Sequence, residues 1–403
     1  MVSFKKMSDR FMINAVDLGE KKYNSRKYPK EMLNKTLWRL LFLFRMNGIY
    51  CEERVKSRNR KRFRHFVWKS VEYVYIIIAI LHFVMKLSSV IFYMIMKEEI
   101  IFILHTFFLD VLRICLLKKK EAVFEMTKEV SRISEHYIDL KATKWIRCFN
   151  LFFLVIVIFC AITFLMEYQD DEMYVNWSKF LLKTRSNSQE LIGILNICLK
   201  ILVISTNYNL YVLFVLATVL YADVCYALEK FFKVVYSSLK TSVTDSENCS
   251  TIQSYLAVLQ VVEYVENSLS LIMFVVALCA MFGLFRGLVI VSFSKTLTPS
   301  LCTFLFCYIA GHLAVLFSVV MTASNVNQAA FNARSQVISL QEHTPFTKKR
   351  DLKWRQLNVK RKVHLTLWNT YVIDRSLIWS AFGTLLTYGI LIGTLGIVSE
   401  RIN

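Results

Sequence analysis

Proline and glycine are scarce. Only 3 Pro and 10 Gly occur in 403 residues, which excludes a Gly/Pro-rich all-β fold, a collagen-like repeat and a low-complexity chain, and favours long unbroken helices. Charge is thin as well. Charged residues make up 20% of the chain against 55% hydrophobic, too little polar surface for a soluble domain of this length. The ten Cys are scattered, mostly within apolar runs, with no CxxC; they read as reduced packing residues, not as a disulfide framework. No GxSxG, Walker loop, GxGxxG or HExxH occurs, and the seven His (His65, His82, His105, His136, His312, His343 and His364) form no ligand pair at helical spacing. No enzyme activity, cofactor or metal is expected on these grounds. The first thirty residues are polar and basic, without the apolar core of a signal peptide, so an early membrane segment is expected to direct insertion.

What is present fits a membrane protein. Phe contributes 31 residues and Tyr 19, and the mean hydropathy is +0.43. Seven apolar stretches reach the ~20 residues of a bilayer crossing, near 70–95, 99–117, 145–167, 202–226, 266–290, 300–322 and 376–398. The fold expected is therefore an all-α membrane protein with seven transmembrane helices. The fourth stretch sits in a longer apolar tract from Leu191, diluted by Lys200, Asn207 and Asn209; one long helix projecting beyond the bilayer is the economical reading. Leu33 to Tyr50 contains Lys35, Arg39 and Arg45 and reads as an amphipathic helix lying at the cytoplasmic surface.

The net charge of +20 follows the positive-inside rule, so the expected partner is the lipid bilayer and not nucleic acid. The segment before the first span and the 2–3, 4–5 and 6–7 connections hold 27 Lys and Arg, and the opposite side holds 7. That bias places the N-terminus in the cytoplasm and, after seven crossings, the C-terminus outside. The sequon Asn176-Trp177-Ser178 then falls outside and is a glycosylation candidate, whereas those at Asn34 and Asn248 fall inside. The 6–7 connection opens with Ala323, Val326, Ala330, Ala333, Val337 and Leu340, and the 4–5 connection offers Ile252, Leu256 and Leu259. Both spacings are helical, and together they predict a helical cytoplasmic anchor.

Intramembrane polar groups are costly and mark interiors or cavities. His82, His105 and His312 each read either as lining a cavity or as a satisfied interior hydrogen bond. Asp110, three residues before Arg113, reads as an i,i+3 pair with it. In the last span, Ser376, Ser380, Thr384, Thr387 and Thr394 fall within about 80° of one another on a helix, with Leu391 inside the same stripe. Gly389, Gly393 and Gly396 cluster on the far side, where another helix can approach closely. Two readings of the stripe stand. It lines a wettable path with a hydrophobic constriction at Leu391, formed by several copies around an axis, or its hydroxyls bond back to their own helix.

Thr387-Tyr388 followed by five apolar or small residues resembles the C-terminal motif of insect gustatory receptors, as Tyr371-Val372-Ile373-Asp374 resembles the family's aromatic-x-aliphatic-Asp step before the last helix. Thr394 and Leu395 stand where that family has Gln-Phe, and Asn369 where it commonly has Gly, so the chain resembles a divergent member. The resemblance implies a tastant-gated, nonselective cation channel, a homotetramer or a heteromer with related subunits, in the plasma membrane of sensory-neuron dendrites. It also implies pore lining by Ser380, Thr384, Thr387, Leu391 and Thr394, and a pocket in the outer half of the bundle. Asn207, Tyr208, Tyr211, Arg286, Thr303 and Tyr308 are the pocket candidates, each alternatively an interface anchor. The corresponding organisation is a cytoplasmic N-terminal segment (1–66), a ligand-binding bundle of six spans (67–322, with 227–265 in the anchor), an anchor connection (323–375) and the pore helix (376–398). The alternatives are a G-protein-coupled seven-helix receptor, which predicts the opposite orientation, and an odorant-receptor-type channel subunit.

Overall fold

A computed structural model of the chain describes residues 32–49, 66–78 with 80, 81 and 84, 97–137, 189–241, 245–293, 299–342, 364–368, 370–384 and 387. The third expected span, Asn176, Tyr388, Leu391 and Thr394 lie outside the described residues.

Five helices carry most of the described chain: α1 (Met32–Met46), α2 (Lys97–Tyr137), α3 (Gln189–Thr241), α4 (Asp245–Phe293) and α5 (Pro299–Glu342). They are long because nothing breaks them. No proline falls inside any of the five, and Pro299 stands at the start of α5, where its missing N–H costs nothing. At ~1.5 Å per residue, α3 is about 80 Å long, more than twice a ~30 Å hydrocarbon core. The apolar tract from Leu191 is indeed one helix, running on to Thr241. Among the described residues, three helical stretches are long and apolar enough to cross a membrane: Ser205–Thr241, Thr251–Ser292 and Leu301–Ser339.

α2 through α5 form a bundle. α2 packs on α3 and α4, α5 packs on α3 and α4, and α3 and α4 touch across the diagonal. α3 is the central helix: between Leu210 and Val224 nearly every side chain is buried, which is why its apolar residues lie all round it. The small-residue seam of the 6–7 connection is continuous with the last part of α5, and Ala323, Val326, Ala330, Ala333 and Val337 are all buried. Ile252 and Leu259 of α4 are buried too.

α1 packs on the bundle along one side. It closes in a Schellman cap, with Ile49 N–H donating to Phe44 O at 2.9 Å and Gly48 N–H to Arg45 O at 3.1 Å. Gly48 has φ +80°, and a Cβ there would come within 2.7 Å of the Tyr75 ring. The cap is docked on the bundle: Asn209 of α3 donates to Asn47 Oδ1 at 3.0 Å. Leu40, Leu41, Phe44 and Ile49 are buried against protein, whereas Phe42 and Met46 remain half exposed. The run Leu40 to Phe44 is apolar at five successive positions, more than one face of a surface helix holds, so protein takes one side of it.

Candidate functional site

Where α2, α3, α4 and α5 converge, four aromatic side chains meet. His105 comes from α2, Tyr211 from α3, and Tyr308 and His312 from successive turns of α5. The His312 ring centroid lies 4.3 Å from that of Tyr308, 5.3 Å from His105 and 6.2 Å from Tyr211, and Phe214 closes the cluster at 5.8 Å. The Tyr308 hydroxyl is 3.4 Å from His105 Nδ1. His312 Nδ1 is 2.8 Å from the Tyr308 carbonyl oxygen, and since a carbonyl only accepts, Nδ1 carries the proton. The Arg286 guanidinium of α4 lies over the Tyr308 ring, 5.6 Å from its centroid, a cation–π geometry.

Two glycines let α5 come this close to α4. A Cβ on Gly283 would stand 2.0 Å from His312 Cδ2 and 2.2 Å from Nε2, and one on Gly287 would stand 2.7 Å from Ile309 Cγ1. Gly283-x-x-x-Gly287 is a small-xxx-small contact motif. It was readable in the sequence but overshadowed by Gly389-x-x-x-Gly393, which lies outside the described residues. The structure thus brings together three of the six pocket candidates, Tyr211, Arg286 and Tyr308, and adds His105 and His312. Asn207 is buried one turn from Tyr211 on the same face of α3, with no hydrogen-bond partner at either side-chain atom among the described residues. Tyr208 and Thr303 are exposed, and the Thr303 hydroxyl donates back to Pro299 O at 2.9 Å. Asp110 and Arg113 are buried electrostatic neighbours, with the Arg113 guanidinium 5.5 Å from the Tyr75 ring centroid.

A second constellation sits at the start of the last helix. Thr366–Leu367 (β1) and Tyr371–Val372 (β2) pair antiparallel, Thr366 opposite Val372. Helix hydrogen-bonding groups hold this hairpin on two helices. Asn327 of α5 accepts from Leu365 N–H at 2.8 Å and donates to Leu365 O at 3.2 Å and to Ile373 O at 2.9 Å. Glu266 of α4 accepts from Thr366 N–H at 3.0 Å and from the Thr366 hydroxyl. Trp368 adopts φ +53°, rare for a bulky residue; its N–H reaches Ser270 O at 3.3 Å and its ring packs on Phe274 with centroids 5.2 Å apart. These contacts with α4 hold that conformation.

Asp374, singled out by the motif before the last helix, is the N-cap. Its side chain accepts from Ser376 N–H at 2.9 Å, the bond that satisfies an orphan helix donor. The helix it opens, described over 376–384 and at 387, buries Ile378 and Ala381 and leaves Ser376, Ser380, Thr384 and Thr387 exposed. Thr384 donates to Ser380 O and Thr387 to Gly383 O, both at 2.8 Å. The back-bonding foreseen for these hydroxyls is thus present, and it leaves their oxygen lone pairs on an open edge.

No family model matches the sequence, and no curated protein matches it either. Solved structures do match. The insect olfactory receptor OR5 from Machilis hrabei is similar at 10% identity and a TM-score of 0.60, over 91% of this chain and 99% of that one. The same receptor in complex with eugenol is similar at 10% identity and a TM-score of 0.64, over 91% of this chain and 100% of that one. At that identity the likeness speaks to architecture, and the chain has the fold of an insect olfactory receptor.

Proposed function

We propose that the chain is a subunit of a ligand-gated cation channel of the insect chemoreceptor type, with the last helix lining a central pore. The observation that carries this reading is the division of that helix into two faces. Ile378 and Ala381 pack on the protein, while Ser376, Ser380, Thr384 and Thr387 form an open polar edge beside the exposed Trp379 and Phe382. An exposed hydroxyl stripe on a membrane helix is costly against lipid and is useful where several copies enclose water. The His105–Tyr211–Tyr308–His312 cluster is the ligand site in this reading, and the resemblance near Thr387-Tyr388 favours a gustatory receptor, tetrameric, in the plasma membrane of chemosensory neurons. The odorant-receptor-type reading has its own support in the fold shared with an olfactory receptor.

The test is current. Expressed in a heterologous cell, alone or with a related subunit, the chain is expected to give ligand-evoked cation currents. Thr387→Cys is expected to be modified by a pore-permeant thiol reagent, with loss of current. A reagent that leaves the open channel's current unchanged places the conduction path elsewhere, and a C-terminal tag reached only after permeabilisation restores the G-protein-coupled alternative.

A further inference from the structure

We infer that the buried aromatic cluster selects small neutral molecules that bring a hydrogen-bond donor, a phenol or an alcohol, to Nε2 of His312. This rests on the cluster being the ligand site and goes further by naming the chemistry. His312 is 4% exposed. Its Nδ1 proton is committed to the Tyr308 carbonyl at 2.8 Å, so in the neutral ring Nε2 presents a lone pair. That atom is buried and meets no donor among the described residues. A buried acceptor without a partner is a standing cost that folding alone does not repay.

A second orphan points the same way. The Asn207 side chain is 2% exposed, and neither its Oδ1 nor its Nδ2 has a partner among the described residues. Asn207 precedes Tyr211 by one turn of α3, and the Tyr211 ring is 6.2 Å from that of His312. Two unsatisfied groups therefore flank Tyr211, one a helical turn before it on α3 and the other on the neighbouring His312 ring. A flat ring seated on Tyr211 with a hydroxyl toward His312 satisfies the acceptor, and a second polar substituent meets a carboxamide that both donates and accepts. Arg286 adds a positive charge over Tyr308, and it draws carboxylates. A carboxylate, however, offers no donor and sets lone pair against lone pair at Nε2, so the commitment is to neutral donors.

The experiment uses the purified full-length chain in detergent and reads the shift of its thermal midpoint with ligand concentration. The probes are eugenol with its methyl ether, benzyl alcohol with benzyl methyl ether, and benzoate. Each hydroxyl compound is expected to act at a concentration at least about tenfold below that of its ether and of benzoate. His312→Phe is expected to abolish that discrimination, because it removes the acceptor. Asn207→Leu, which keeps His312, is expected to retain the tenfold preference and to leave the unliganded midpoint unchanged or higher.

Ethers as potent as their parent compounds, benzoate more potent than benzyl alcohol, no shift with any probe, or a His312→Phe chain that still discriminates would each overturn the inference. Tyr211→Ala separates the two levels. If it removes the shifts while ethers match alcohols, the site stands and the donor rule falls. If every shift survives it, the site itself is elsewhere.

Discussion

Gly283 is the position where a single methyl group tests the packing most severely. The Cβ added by Gly283→Ala would stand 2.0 Å from His312 Cδ2 and 2.2 Å from Nε2, against an ordinary carbon contact of about 3.5–4.0 Å. The imidazole has little room to turn, since Tyr308, Tyr211, Phe214 and His105 surround it. α5 must then retreat by about 1.5 Å to restore contact, and overpacking of this kind costs about 1–3 kcal/mol. Helix propensity offsets about 1 kcal/mol of it. Gly193→Ala is the matched control, because nothing lies within 4 Å of its added Cβ, and it keeps the whole propensity gain. Thermal midpoints in detergent are expected to rank Gly193→Ala at or above the parent chain and Gly283→Ala below it. The double variant Gly283→Ala/His312→Ala recovers part of the loss, a coupling that a double-mutant cycle isolates. If Gly283→Ala is as stable as Gly193→Ala, the α4–α5 contact described for His312 is wrong.

Three further outcomes are expected. Asn327→Ala removes three hydrogen bonds to Leu365 and Ile373 and is expected to cost about 1–3 kcal/mol, read as a lower midpoint and as faster proteolysis within 364–374; an unchanged midpoint and cleavage rate would mean the hairpin is held by its apolar residues alone. Asp374→Ala loses the N-cap to Ser376 and is expected to cost about 1 kcal/mol, whereas Asp374→Asn, which caps as well, costs less; equal losses in the two would assign the effect to charge. Leu391→Ala is expected to raise resting leak in an active channel by widening and wetting its constriction, and a leak at the parent level removes Leu391 from the gate.

Local signals carried well from sequence to structure. The absence of proline from the tract after Leu191 made one helix the economical reading, and α3 is one helix. The Ala323–Val337 spacing marked a buried seam because periodicity reports which side of a helix meets protein, whatever that protein is. Asp374 stood out by resemblance alone, and the cap bond to Ser376 supplies its physical role. Pocket membership was harder to read. Tyr208 and Tyr211 are alike in chemistry and three positions apart, yet Tyr208 is 46% exposed while Tyr211 joins the cluster. That choice depends on which neighbour each side of α3 meets, and a single sequence does not state it. His105 and His312 are 207 positions apart and meet only because α2 and α5 both border the same crossing. α1 carries both signals: Lys35, Arg39 and Arg45 mark a surface, and the apolar run Leu40 to Phe44 marks the side that meets protein.

The two constellations share their supports, and in the proposed channel that sharing is the route by which one would act on the other. α5 carries His312 and, fifteen residues or about 22 Å further on, Asn327; α4 carries Gly283 and, seventeen residues earlier, Glu266. The hairpin bonds to both helices at once, through Asn327 on one and Glu266 on the other, and Asp374 starts the last helix two residues after β2 ends. A long helix is stiff, so a molecule that wedges α4 from α5 at the Gly283–His312 contact changes their relative tilt along their whole length. At the hairpin the two anchors then move relative to each other, and a two-stranded ribbon with fixed register does not stretch to follow. One anchor yields or the ribbon turns, and in either case the base of the last helix moves with it. Ligand binding favours that rearrangement only by the difference in its affinity for the two arrangements. The tightness of the resting contact at Gly283 therefore matters as much as any attraction within the cluster, because it is what an entering molecule displaces.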